Sequence, residues 1–405
     1  MLTTSLAPNT QADDIQAAAA SLLSPWRWRD SERLPAVAQQ LEAMLPQHHA
    51  VLTSSGRAAI WQTLKAFGIG AGDEVIIQAF TCLAVPAAVS WSGAKPTYAD
   101  INKQTYNLDP ASVAARITPR TKAIIVQHTF GIPGPIAELQ ALATQHKLIL
   151  IEDLAHALGG NYQNQPLGTL GDATILSFGR DKTISSVFGG AVICGDQKVI
   201  ARLAAAQASL SYPPAQWVAQ QLLHPLVVPV LNRLYFTAGL GKVLLVAAQK
   251  LHLLSLAVSA SEKRGQKPSH VHYRFAPALA PLLQHQLRKL TAFTAHRRRL
   301  ARHYAAALPH RFSEQQLSEA AWLRFPLLLK NRDQVFRAAR QRKMLLGDWY
   351  TSPVTPGVSP NISHYQPGSC PVAEEVSREI INLPTHINIS EQQAQGVIAF
   401  MQQQS

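Results

Sequence analysis

Seven short runs of β-branched and other apolar residues punctuate residues 50 to 195: VLTSS, EVIIQ, KPTYAD, AIIVQH, LILIED, ATILSFG and GGAVICG. Between several of them, RAAIWQTLKAFG, LAVPAAVSWSGA and PIAELQALATQHK place apolar residues at helical spacing. A strand reaches a parallel partner only through a crossover connection, commonly a helix. The alternation therefore predicts an α/β domain, a mostly parallel seven-stranded sheet between layers of helix.

After about residue 200 the pattern changes. No Asp, Glu, Lys or Arg occurs between Arg202 and Arg233, and LYFTAGLGKVLLVAAQKLHLLSLAVSA beyond it is mostly apolar with two lysines. The uncharged run is long enough for a bilayer, but Pro213, Pro214, Pro225 and Pro229 are expected to break it. Two amphipathic helices in an insert of about residues 205–262 are the expectation. They either pack on the main domain or a subunit interface, or dock on a membrane surface with Arg233, Lys242 and Lys250 beside the apolar faces.

Farther on, LAPLLQHQLRKLTAFTAHRRRLARHYAAAL reads as one long amphipathic helix whose Arg297 to Arg299 suit a solvated face. WLRFPLLL and MLLGDWY read as strands and SEQQAQGVIAFMQQ as a terminal helix. The expected division is a large domain, residues 1–270 with an N-terminal segment 1–35, and a smaller α+β domain, residues 271–405.

Composition narrows the class. At 405 residues, 47% hydrophobic and 15% charged, the chain can bury the core of a soluble enzyme and is not a disordered segment. The net charge of +13 suits an anionic partner without choosing among nucleic acid, an acidic membrane surface and a phosphorylated small molecule. Cys82, Cys194 and Cys370 are far apart, with no CxxC or His-Cys cluster, so neither a disulfide framework nor a metal site is expected. That fits a reducing compartment. The start, MLTTSLAPNTQADDIQ, lacks the basic and apolar regions of a secretory signal, which makes a cytoplasmic location the expectation.

Three stretches could carry chemistry. In SSGRAAI, residues 54–60, Gly56 lies in a turn from strand into helix; N–H groups at a helix start suit a phosphate, and a plain turn would look the same. In LILIEDLAHALGG a buried strand ends at Asp153, with His156 shortly after. Strand carboxyl ends face ligands in open α/β sheets, so Asp153 suits a cationic ring nitrogen, or it caps a following helix. In ATILSFGRDK, Lys182 follows a strand that carries Ser177. A lysine that forms a Schiff base needs a partly dry cleft, and Ser177 could hold a cofactor phosphate; taken alone, Lys182 fits a surface lysine as well. Together the three offer what pyridoxal 5′-phosphate needs: a phosphate seat, an acid for the ring nitrogen and a lysine for the aldehyde.

These stretches, with GDEVIIQAFTCLAVPAAVSWSGAKPTYADINKQTYNLDP, ITPRTKAIIVQHTFG, GGAV, HYRF and CPVAEEVSREIINLPTHINIS, resemble the DegT/DnrJ/StrS-type sugar aminotransferases. That family is a branch of the fold type I pyridoxal-phosphate enzymes, and the likeness runs from about residue 30 to the C-terminus. It implies that Lys182 is the cofactor lysine of a Ser-Phe-x-x-x-Lys pattern and Ser177 the phosphate-binding serine. Asp153 becomes the partner of the ring nitrogen and His156 the residue near the cofactor's phenolic oxygen. Gly56, Arg57 and Ala58 become the phosphate-contacting helix start, with Arg57 where Thr is usual. Cys82 stands where the family has a ring-stacking aromatic, and Phe80 is the nearest candidate to replace it. His272 takes the place of an Asn that reaches the phosphate of the partner subunit. Gly179, Arg180 and Asp181 are unusual between Ser177 and Lys182.

The activity so implied moves an amino group from glutamate or glutamine to a keto sugar, nucleotide-linked, in a homodimer with no nucleic-acid partner. Lysine at 182 separates the chain from the related dehydratases, which have histidine there. The insert is longer than the family usually carries. It leaves two alternatives: a non-sugar or lipid-linked substrate at a membrane surface, and a non-catalytic binding or regulatory protein that keeps the fold.

Overall fold

The computed structural model describes residues 2–404 except Leu6, Pro46, Gln47, Phe236, Ala238 and Ala257. The seven apolar runs form one sheet of β1 (His49–Thr53), β2 (Glu74–Gln78), β3 (Lys95–Ala99), β4 (Thr121–Gln127), β5 (Ile149–Asp153), β6 (Ala173–Ser177) and β7 (Gly190–Cys194). Their spatial order is β1-β7-β6-β5-β4-β2-β3. Only β7 runs antiparallel to its neighbours, β1 and β6; the other pairs are parallel. The connection explains the exception. The loop 178–189 returns from β6 to β7 without a crossover helix, and a strand reached that way must reverse.

Successive residues of a strand face opposite sides of the sheet, and here both sides are buried. Ile77, Ile125, Ile151, Ile175 and Val192 join one core, while Ile76, Ile124, Val126 and Leu150 join another. Continuous apolar runs are what two covered faces require. The helices of this part of the chain include α1 (Ala12–Leu22), α2 (Gly56–Ala66), α3 (Ala84–Ser92), α4 (Ile136–His146) and α5 (Gln197–Ala208).

The insert does form two helices, α6 (Ala215–Leu234) and α7 (Leu240–Lys250). The expectation that Pro225 and Pro229 break the run is corrected: α6 continues through both. Each interior proline costs one helical hydrogen bond, about 3 kcal/mol. Burial of Val218, Leu222, Pro225, Val228 and Leu231 along one side, with α1 packed against α6, offsets that cost. Among the described residues no helix is long and apolar enough to cross a membrane.

The long helix α8 (Ala280–Ala307) buries Leu283, Gln286, Leu290, Phe293, Arg297 and Tyr304, at the spacing of one helical face. Arg297 is thus inside the protein rather than on a solvated face. Strand β8 (Arg324–Leu328) pairs antiparallel with β9 (Ile380–Pro384), and α9 (Glu391–Gln402) closes the chain. MLLGDWY is a strand only at Met344–Leu345, which pairs with Leu2–Thr3. Beyond that point Asn382 redirects it: Trp349 N–H donates to Asn382 Oδ1 at 3.0 Å, and Asn382 Nδ2 donates to Trp349 O at 3.0 Å.

Candidate active site

The carboxyl ends of β1, β5 and β6 and the start of β7 meet at one edge of the sheet, around a cavity of about 280 Å³. Gly56, Arg57, Cys82, Asp153, His156, Ser177 and Lys182 all line it. Seven of the nine residues expected at the site are therefore brought together. Ala58 lies just behind, its N–H donating to Ser55 Oγ at 3.3 Å. His272 does not face the cavity of its own chain; it is exposed and edge-on to Trp61, with ring centroids 5.3 Å apart.

The start of α2 is fixed by close approach. A Cβ on Gly56 would lie 2.8 Å from Ser177 Cβ, and one on Gly190 would lie 2.5 Å from the Ser55 carbonyl carbon. Glycine at both positions lets the first N–H groups of α2 sit beside the Ser177 hydroxyl.

Two guanidinium groups stand at the same end. Arg57 is paired with Glu262. Arg180 Nη1 donates to Ser255 O at 2.6 Å, and Nη2 to Ser255 Oγ and to Gln221 Oε1 at 3.4 Å. Burial pushes Arg180 down to about 10, with Asp181 opposing and Arg57 adding to the shift. Its Nε is buried without a protein partner.

At the end of β5 the side chains separate by parity. Glu152 accepts from the N–H groups of Gly168, Leu170 and Gly171 and meets His128 at 3.3 Å, a structural knot. Asp153 turns into the cavity and accepts from Ala155 N–H at 2.9 Å. No helix follows it, because residues 155–159 form turns, so the capping alternative falls. Burial raises the Asp153 pKa, against the pull of Ala155 N–H, Lys182 and His128.

His156 is held neutral. Its Nδ1 accepts from Phe130 N–H at 3.3 Å, so the remaining ring proton is on Nε2, which lies 3.2 Å from Tyr350 Oη. Burial, then Lys182 and Arg324, hold its pKa well below 6.5. Trp349 stacks on it with centroids 5.1 Å apart, and the Arg324 guanidinium covers Trp349 at 3.5 Å.

Lys182 Nζ lies 5.5 Å from the centre of the Trp349 ring. Burial lowers its pKa, while Cys82, Asp153 and Asp181 oppose the shift. Its backbone is pinned from the N-terminal segment: Asn9 Nδ2 donates to the carbonyls of Lys182 at 2.6 Å and Thr183 at 3.0 Å. Buried Arg297 holds Asn9 in turn, Nη2 to Oδ1 at 2.7 Å.

Phe80 does not line the cavity; it is fully buried against Tyr106, Phe130 and Tyr350. Trp349 and Tyr350, which sequence reasoning assigned to a strand, line the cavity instead, and Glu262 was missed altogether. The adjacent aromatics after Gly347 were the available signal for the first two.

Residues 8–217 and 244–402 match the DegT/DnrJ/EryC1/StrS aminotransferase family. The chain belongs to that family. Its members use pyridoxal 5′-phosphate, and the architecture is that of fold type I. The match breaks over residues 218–243, inside the insert.

An L-glutamine:2-deoxy-scyllo-inosose aminotransferase of Micromonospora echinospora is 44% identical over 36% of this chain and 35% of that protein. That match spans about a third of the relative's length. The erythromycin biosynthesis sensory transduction protein EryC1 of Saccharopolyspora erythraea is 29% identical over 96% of this chain and 94% of its own. Among solved structures, S. venezuelae DesV in complex with a ketimine intermediate shares 26% identity at a TM-score of 0.72, covering 97% of this chain and 94% of that one.

The cavity fits the family's cofactor. The Gly56–Ser177 cradle admits an anion where a Cβ would exclude it, and Arg180 Nε is a buried donor with no protein acceptor. Asp153 and Lys182 line the same space.

Proposed function

We propose that the protein transfers an amino group from glutamate or glutamine to a keto sugar, nucleotide-linked, with pyridoxal 5′-phosphate held in the cavity described. The observation that carries this reading is the convergence of Lys182, Asp153 and Ser177 on one cavity behind the Gly56 turn. Ser177 Oγ, the N–H groups of Gly56 and Arg57, and the Arg57 and Arg180 guanidiniums would hold the phosphate, while the Ala58 N–H is taken by Ser55 Oγ. Asp153 would face the ring nitrogen, whose positive charge favours the carboxylate that burial disfavours.

When bound, the cofactor supplies an electron sink for charge developing at the substrate Cα. Lys182 Nζ, biased by burial toward the neutral amine, is the group that takes the Cα proton. The His156 Nε2–H donates to Tyr350 Oη, which leaves the tyrosine its own hydrogen to give, and these two residues would be the ones to meet the cofactor's phenolic oxygen.

We further propose a homodimer in which His272 reaches the partner's cavity; its exposure on its own chain supports this. The small domain is taken as residues 271–405. The proposed location is cytoplasmic, with contact to the inner membrane surface through residues 205–262. The name of EryC1 raises the regulatory alternative, and the complete Lys182, Asp153 and Ser177 set favours catalysis. Visible absorbance on adding pyridoxal 5′-phosphate, and its conversion by glutamate or glutamine, tests the reading. A colourless protein that ignores the cofactor would sink it.

A further inference from the structure

The large exposed apolar residues of this protein concentrate in the insert. Leu240, Val243, Leu244 and Leu251 are 46%, 65%, 39% and 69% exposed, and Leu253 and Leu256 are 51% and 50% exposed. Spacing by three, four and seven puts the first four on one face, running along α7 and past its end. Another side of the helix is already used: Leu245 and Ala248 pack against the small core of Val228, Leu231 and Leu254. An apolar stripe thus remains toward water on a helix whose inner side is satisfied, which marks a contact surface.

Charge chooses the occupant. No Asp or Glu occurs from residue 197 to 261; Lys242 and Lys250 are exposed on α7 itself, and Arg233, Lys263 and Arg264 are exposed on the chain to either side of it. A two-fold contact with a second copy would bring this acid-free, cationic patch against itself. An anionic bilayer answers both the apolar stripe and the cations. No described helix can span a membrane, so the geometry is that of a helix lying in the interface.

We propose that the outer face of α7, continued by Leu251 to Leu256, docks on an anionic lipid bilayer. This deepens the membrane contact proposed for residues 205–262 and does not depend on the aminotransferase chemistry. The same segment supplies Ser255 and Glu262, which hold Arg180 and Arg57, so the docking face is joined to the cavity wall.

The test uses the full chain with added pyridoxal 5′-phosphate and sedimentation with vesicles of phosphatidylcholine, with or without phosphatidylglycerol. The protein is expected to sediment with the anionic vesicles, less so at high salt, and to stay in solution with the neutral ones. V243E/L251E is expected to lower the bound fraction on the order of tenfold or more. Its sedimentation coefficient and cofactor absorbance are expected to match the wild type. Wild-type protein that ignores anionic vesicles, or binds neutral ones equally, overturns the proposal. So does a double variant that dissociates while its vesicle binding is unchanged, which would assign the face to a subunit contact. The vesicle comparison on wild type needs no variant, and it reads out whether or not the protein takes up cofactor.

Discussion

Glu262, the first acidic residue after Asp196, is the partner of Arg57, 205 positions earlier in the chain. The carboxylate is almost fully buried, with the Glu262 side chain 2% exposed and that of Arg57 13% exposed. The insert thus supplies the counter-charge to a guanidinium at the start of α2, the place where an anion would bind.

Removing one member of a buried ion pair strands the other, at about 3–5 kcal/mol. Glu262→Gln is expected to destabilise the cofactor-free protein by that order. The loss should be smaller once pyridoxal 5′-phosphate is bound, because its phosphate takes over the guanidinium. Urea unfolding with and without cofactor measures the difference. Equal losses in the two forms would mean that Arg57 does not meet the phosphate.

Gly56→Ala forces a Cβ to within 2.8 Å of Ser177 Cβ, against the end of a central strand. Overpacking of this kind costs about 1–3 kcal/mol. Because the displaced group is the proposed phosphate ligand, cofactor affinity is expected to fall about ten- to hundredfold. A titration of cofactor absorbance reads this directly, and unchanged affinity would remove Ser177 from the phosphate seat.

Tyr350→Phe removes the acceptor of the His156 Nε2–H. A buried donor left unsatisfied costs about 1–3 kcal/mol, so stability should fall by that amount. The turnover number is expected to fall on the order of tenfold, since the hydroxyl that meets His156 in the cavity wall is lost with it. Retained stability with full turnover would place the proton on the other ring nitrogen and take Tyr350 out of the site.

Buried histidines set the acid limit. Burial holds His386 down to about 4 and His270 down to about 3, and keeps His156 and His224 well below 6.5. Below pH 6.5 the unfolded chain binds protons that the folded one refuses, so stability drops as pH falls. Each such group contributes about 1.4 kcal/mol per pH unit across its window. Unfolding midpoints are expected to decline steeply from about pH 6.5 to about pH 4, and His386→Gln to make the decline shallower. A flat profile over that range would contradict the burial of these rings.

The sheet could be read from the chain because its strands are buried on both faces and so appear as continuous apolar runs. The site residues on those strands, Asp153 and Ser177, followed from position, since each ends a strand at the carboxyl edge. Lys182 needed the resemblance, because nothing in its immediate neighbours separates it from a surface lysine. What could not be read depended on contacts between distant segments. Trp349 and Tyr350 reach the cavity because Asn382 turns the chain there, and Glu262 meets Arg57 only once the insert has folded back. The prolines of α6 misled for the opposite reason: local helix cost was outweighed by packing on α1.

The most direct test of the central claim is the visible absorption spectrum of the purified protein with pyridoxal 5′-phosphate, before and after adding glutamate or glutamine. Wild type is expected to show the band of lysine-bound cofactor and to lose it on addition of the amino donor, while Lys182→Ala shows no such band. A wild-type spectrum that neither develops the band nor responds to either donor would contradict the assignment of Lys182 and of the transfer reaction.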